Sequence, residues 1–252
     1  MKTKQFIPIT AKEVEERGWS QLDVILISGD AYIDHPSFGT AVIARIIEQQ
    51  GLKVAIIPQP NWKDDLRDFK KLGTPKLFFG ITAGNMDSMV NHYTATKRIR
   101  KDDAYTPGNT AGFRPDHATV VYSQIVRKLY PNTPIILGGV EASMRRLTHY
   151  DYWDDQLKPS ILVDSKADLL VYGMGEKPII EICKAFQSSD PLEQCKKINQ
   201  VAFLCDHPES YMDPDEQVIT LNSYEKERSS KKVYAKNFVT FEKETNKRVQ
   251  KK

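Results

Sequence analysis

Short apolar, β-branched runs separated by longer amphipathic stretches constrain this chain more than any other feature. The pattern spells βαβ units and a mostly parallel sheet. The runs LDVILIS (22–28), KVAIIPQP (53–60), KLFFGIT (76–82), PIILGG (134–139) and ADLLVYG (167–173) read as strands. Each is continuously apolar, as expected where helices cover both faces of a sheet. Between them, residues 39–50 place Val42, Ile43, Ile46 and Ile47 at helical spacing, with Gly51 as a C-cap. Residues 64–71 read as a short helix, and 117–130 as a longer one with Val120, Val121, Ile125 and Leu129 facing inward. Residues 178–186 form a last helix of the repeat. The fold class is therefore α/β, a doubly wound sheet of about five strands.

Beyond residue 188 the pattern weakens. VAFLC (201–205) and EQVITLNS (216–223) are candidate edge strands, and the last thirty residues read as a charged helix carrying Tyr234, Phe238 and Phe241. The expected organisation is a Rossmann-like domain over 1–188 and an extension over 189–252.

In an open α/β sheet, ligands collect where the loops leave the carboxyl ends of the strands. The loop after the first strand holds Asp30, Asp34 and His35. Neither GxGxxG nor GxxxxGK[ST] occurs there, so dinucleotide and P-loop nucleotide binding are unsupported. The segment 84–116 carries Asp87, Arg98, Arg100, Asp102, Asp103 and Tyr105. Its basic residues could grip an anion or neutralise the adjoining carboxylates across a turn. The segment 138–155 is the densest: Glu141, Arg145, Arg146, His149, Tyr150 and Asp151 follow a Gly-Gly pair within a few turns of chain. Arginine suits carboxylate and phosphate, and His, Tyr and Asp can relay protons, yet the same residues also anchor interfaces. Glu176 follows the fifth strand in GMGEKP. No nucleophile and base are identifiable by spacing.

The formal net charge is +3, but residues 223–252 hold 10 Lys+Arg against 4 Asp+Glu, which leaves a mildly acidic body. Such a tail reads as a solvated helix face, so nucleic acid is not the expected partner. No apolar run approaches the roughly 20 residues of a bilayer span, and the start lacks the apolar block of a secretory signal. The expected compartment is the cytoplasm, without a membrane partner. Cys183, Cys195 and Cys205 match no metal-ligand spacing, so no metal is expected on this chain and the thiols should be reduced.

The strings GDAYIDHPSFGTAVIARIIEQQGLKV, MDSMVNHYTATKRIRKDDAYTPG, GGVEASMRRLTHYDYWDD and KADLLVYG closely resemble the N-terminal region of the YgiQ family of radical SAM proteins. The likeness covers about residues 5–250. It implies a cobalamin-binding-like Rossmann domain ahead of a radical SAM barrel, in a family of unestablished substrate. The barrel would hold a 4Fe-4S cluster on a CxxxCxxC loop and cleave S-adenosylmethionine. This chain has no such cysteine triplet, so it is expected to act as an accessory domain, not catalytically competent alone. Its expected partner is the C-terminal barrel, in cis or as a separate chain, with a small-molecule substrate between them. Histidine-ligated cobalamin would need an Asp-x-His-x-x-Gly pattern, whereas Asp34 adjoins His35 and Gly39 lies four residues beyond. The alternative is a stand-alone module for a small anionic ligand, held by Arg98, Arg100, Arg145 and Arg146.

Overall fold

The computed structural model describes residues 6–212, 215 and 217–245. In chain order its strands are β1 Val24–Ser28, β2 Val54–Pro58, β3 Phe78–Thr82, β4 Ile135–Leu137, β5 His149–Asp151, β6 Gln156–Lys158, β7 Leu169–Val171 and β8 Val201–Ala202. The helices of the first half are α1 Ala11–Glu16, α2 Gly39–Gln49, α3 Arg67–Lys70, α4 Ser88–His92 and α5 Ala118–Leu129. Those of the second half are α6 Gly139–Met144, α7 Ile161–Ser165, α8 Glu176–Ala185, α9 Pro191–Cys195, α10 Tyr224–Ser229 and α11 Lys231–Thr245.

Two compact units are present. The first, Met1–Arg146 with Ile161–Leu204, carries a six-stranded sheet in the order β2-β1-β3-β4-β7-β8. β1, β2, β3, β4 and β7 are parallel, which bears out the doubly wound reading. β8 pairs antiparallel on β7, so only Val201 and Ala202 of VAFLC are strand.

The period-2 alternation of the strands sorts their side chains onto two cores. Val24, Leu26, Val54, Ile56, Phe78 and Ile136 face α2, α8 and α9, while Ile25, Ile27, Ala55, Ile57, Phe79 and Ile81 face the opposite core with α5. The inward face of α5 differs from expectation. Ala118, Thr119, Tyr122, Ser123 and Val126 are fully buried, and Val120, Ile125 and Leu129 pack along its margin. Small residues let the α5 backbone sit close to the sheet, with the Tyr122 ring filling the gap beside Phe69.

The second unit, Leu147–Ser160 with Cys205–Lys252, holds the β5–β6 hairpin, α10 and α11. Buried Asn237 on α11 ties it together: its amide donates to Asn222 O and Glu227 Oε1 and accepts from Asn222 N. The expected strand over 216–223 does not form. Glu216 lies outside the described residues, and 217–223 run without pairing, leaving Val218 and Ile219 exposed. The terminal helix forms as α11, and the residues expected to prolong it, 246–252, lie outside the described residues, as do 1–5 of the leading segment.

A glycine-lined cavity at the carboxyl edge of the sheet

On the sheet face toward α2 and α8, Leu26, Gly80 and Ile136 lie in one cross-strand row. Gly80 leaves a gap in the middle of that row, and Leu26 leans into it: a Cβ at Gly80 would lie 2.5 Å from Leu26 Cδ2. Where β4 and β7 end, Gly138 and Gly173 again present backbone instead of side chain. The outcome is a cavity of about 340 Å³ beneath α2 and α8. Leu26, Ile136 and Val171 floor it, Ile43 and Ile179 wall it, and Ser37, Thr40, Thr82 and Glu176 line it among the polar residues. It lies where the topology of a doubly wound sheet predicts a ligand crevice.

The loops over this edge are fastened by buried charge. Arg114 is 1% exposed. Its Nη1 donates to Asp30 Oδ1 and Ala83 O, both at 3.0 Å, and its Nε donates to Asp103 Oδ2 at 3.1 Å. Asp30 also accepts from Asn85 N at 2.7 Å, and Asp103 from Tyr105 N at 2.9 Å. Burial pushes the Asp30 carboxyl above the usual aspartate range, against the pull of the Asn85 N–H and the Arg114 charge. Gly84 crosses Asp30 so closely, at φ +110°, that any Cβ would fall 2.0 Å from Asp30 Oδ1. The segment 84–116 is thus ordered from within, with α4, a short turn at Pro107–Asn109 and bridges Tyr93↔Ile99 and Asp102↔Thr110.

A second fastening joins α4 to α6. Glu141, 1% exposed, accepts from Ser88 N, Ser88 Oγ and Thr119 N at 2.6–2.9 Å. Asp87 caps α4 by accepting from Met89 N and Val90 N, and it pairs with Arg145. Asp34 pairs with Arg45 on α2, and exposed His35 accepts the Ser37 N–H on Nδ1. Arg100 donates to Val90 O and Tyr93 O, and the Arg146 guanidinium lies 4.7 Å over the Tyr172 ring. Arg98 and Asp102 are exposed, and Tyr105 O accepts from Ala31 N. Among the expected residues only Glu176, in the first turn of α8, lines the cavity itself.

The dense 138–155 segment divides between the two units. Glu141, Arg145 and Arg146 belong to the sheet unit, whereas His149, Tyr150 and Asp151 belong to the hairpin of the other unit. There His149 Nδ1 lies 3.2 Å from Leu147 O, and Tyr150 donates to Asp155. Asp151 accepts from Trp153 N and Asp154 N and pairs with Lys158. Sequence reasoning overlooked Arg114, whose only linear signal was a lone arginine beyond the Asp102-Asp103 pair. It also overlooked His92, whose Nδ1 lies 2.7 Å from Asp116 Oδ1, with Tyr93 OH donating to Asp116 Oδ2 at 2.8 Å.

The sequence profile of the family described as radical SAM N-terminal matches residues 6–252. The chain belongs to that family. A UPF0313 protein of Bacteroides thetaiotaomicron is 57% identical over 96% of this chain and 40% of its own length. The UPF0313 protein YgiQ of Escherichia coli is 51% identical over 79% of this chain and 27% of its own length. The chain thus spans less than half of the curated relatives it matches. Among solved structures, the radical S-adenosylmethionine methyltransferase TsrM of Kitasatospora setae aligns with 73% of this chain and 28% of its own, at 17% identity and a TM-score of 0.46.

The cysteines of this radical SAM N-terminal chain do not fit an iron-sulfur cluster. Cys183 and Cys195 are buried in the α2/α8 core, where burial pushes both thiols up to about 12, and Cys205 is exposed. A cluster needs closely spaced thiolates. Among the described residues no group of three or more His, Cys, Asp or Glu side chains is placed to hold a metal. The aspartate–histidine pair of histidine-ligated cobalamin is not formed either, since Asp34 pairs with Arg45 and the His35 Nδ1 accepts from Ser37 N. No helix among the described residues is long and apolar enough to cross a membrane.

Proposed function

We propose that this chain is the accessory, substrate-side domain of a radical SAM enzyme. The 4Fe-4S cluster and S-adenosylmethionine would be handled by a barrel in the part of the protein that corresponds to the relatives' remaining length. The observation that carries this reading is the pairing of a preformed cavity at the carboxyl edge with a set of cysteines unable to hold a cluster.

In this reading the domain's own residues position and enclose. Arg114 with Asp30 and Asp103, and Glu141 with Ser88, fix the loops around the edge, so a substrate meets walls already in place. None of these groups is needed as a general acid or base. Of the extension expected over 189–252, α9 and β8 belong to the sheet unit and the part from 205 would lead toward the barrel, with Phe238 on α11, 55% exposed, offering apolar surface for that contact. The cytoplasm suits a chain whose three cysteines are all free.

Anaerobic reconstitution of this chain with iron and sulfide tests the assignment. Only substoichiometric, unstructured iron absorbance is expected. A charge-transfer band at one cluster per chain would overturn it.

A further inference from the structure

The four arginines expected to hold an anion part company in the fold. Arg145 pairs with Asp87, and the Arg146 guanidinium lies over Tyr172. Arg98 is exposed. Arg100 instead lines a second cavity of about 340 Å³, which shares no lining residue with the one beneath α2 and α8. Val121 of α5, Trp62, Tyr93, Ile99 and Pro115 form its apolar sides. The Arg100 side chain is anchored at its root. Its Nε donates to Val90 O and Tyr93 O, both at 3.2 Å, whereas its two terminal nitrogens make no hydrogen bond or ion pair among the described residues. A guanidinium held in this way offers an open fork whose orientation is already set. Lys63 is a second cation of the lining without a carboxylate partner, its Nζ lying 4.9 Å over the Trp62 ring. Arg114, also in the lining, is neutralised by Asp30 and Asp103.

We propose that this second cavity binds a phosphate monoester with a small apolar body, its phosphate in the Arg100 fork beside Lys63 and its body against Trp62 and Val121. Charge argues for the phosphate. A phosphate monoester carries about −1.5 to −2 at pH 7, which suits two unpaired cations, and its oxygens accept a bidentate arginine contact. The lining holds one carboxylate, Asp116, and both of its oxygens already meet donors, His92 Nδ1 at 2.7 Å and Tyr93 OH at 2.8 Å. Its charge is therefore stabilised without drawing on Arg100 or Lys63. Size and walls argue for the body. The space is at the lower end of the range for small-molecule pockets, about 300–1,000 Å³, yet larger than a bare phosphate needs, and most of its remaining lining is apolar. The site does not depend on where the radical chemistry is done, because every residue in it belongs to the sheet unit.

The test uses phenyl phosphate, with phenol and inorganic phosphate as its two halves, titrated calorimetrically into the whole chain. Phenyl phosphate is expected to bind saturably, and each half more weakly by about tenfold or more. Arg100→Gln is expected to weaken phenyl phosphate by about tenfold or more. Because Arg100 also holds two carbonyls, Lys63→Gln, at an exposed and unpaired position, supplies an independent variant, with a loss of about threefold or more at unchanged Tm. Arg98→Gln, exposed and outside the lining, should leave the affinity within about twofold of wild type. Amide shifts on phenyl phosphate addition should centre on Ala111 and Gly112. Absence of saturable binding, either half binding as tightly as phenyl phosphate, or Lys63→Gln binding like wild type would each overturn the proposal. So would a loss in Arg98→Gln as large as in Arg100→Gln, or shifts centred on Gly138 and Gly173 of the other cavity.

Discussion

Arg114 joins segments that are remote in sequence, since its partner Asp30 lies 84 residues away. A planar guanidinium can serve two carboxylates and a carbonyl at once, which an ammonium cannot do with the same geometry. Removing it leaves Asp30 and Asp103 buried without a counter-charge, and breaking a buried pair in this way costs about 3–5 kcal/mol. Arg114→Ala should therefore shift the urea midpoint strongly downward, and Arg114→Lys should fall between it and the wild type. A midpoint within error of wild type in Arg114→Ala would contradict the fastening role. The two aspartates were recognisable from the sequence as loop carboxylates at a strand end. Their shared partner was not, because nothing in linear spacing announces a contact between loops this far apart.

The β5–β6 hairpin shows the same division at the scale of an element. Burial alone would raise the Asp151 carboxyl. The N–H of Asp154, the Lys158 ammonium and the N–H of Trp153 outweigh that effect and hold it below the usual range. With the folded value below the unfolded one, the stabilisation is fully present above the ordinary value of 3.8 and is lost as pH falls through the depressed folded value. Asp151→Asn should cost about 1 kcal/mol at pH 7 and progressively less below about pH 4. Trp153 fluorescence in urea titrations at several pH values would report it. A penalty independent of pH would sink the electrostatic account. The sequence marked Asp151 only as a candidate loop residue, because a cluster of His, Tyr and Asp looks alike whether it relays protons, anchors an interface or staples a turn. On α5 the periodicity located the helix, but the choice of inward face fell to Tyr122 and the small residues around it.

For the whole molecule, the irregular segment that opens the C-terminal part of the second unit offers a direct measure of how the chain is built. Residues 205–222 carry no regular element among those described beyond the turn at Pro208–Tyr211, and Glu209 is exposed. Limited digestion with a glutamate-specific protease should cut first at Glu209 while Glu141, sealed at 1% exposure in the sheet unit, resists. Mass mapping of early fragments would decide it. First cuts inside the sheet unit would mean that its core is not the stable part. The strands of the parallel sheet and their pairing were legible beforehand, because alternation of apolar runs with helical spacing depends on near neighbours along the chain, and the family was legible only through the resemblance of the loop sequences. The sequence by itself thus determined the doubly wound sheet and the lack of a cluster-binding cysteine triplet. Only the tertiary structure decided which carboxylates are fasteners, that 138–155 divides between two units, and that a cavity lined by Gly80 and Gly138 forms at the carboxyl edge of the sheet. Those outcomes depend on which distant segments meet and on the space left between them, and an absent side chain has meaning only once its neighbours are in place.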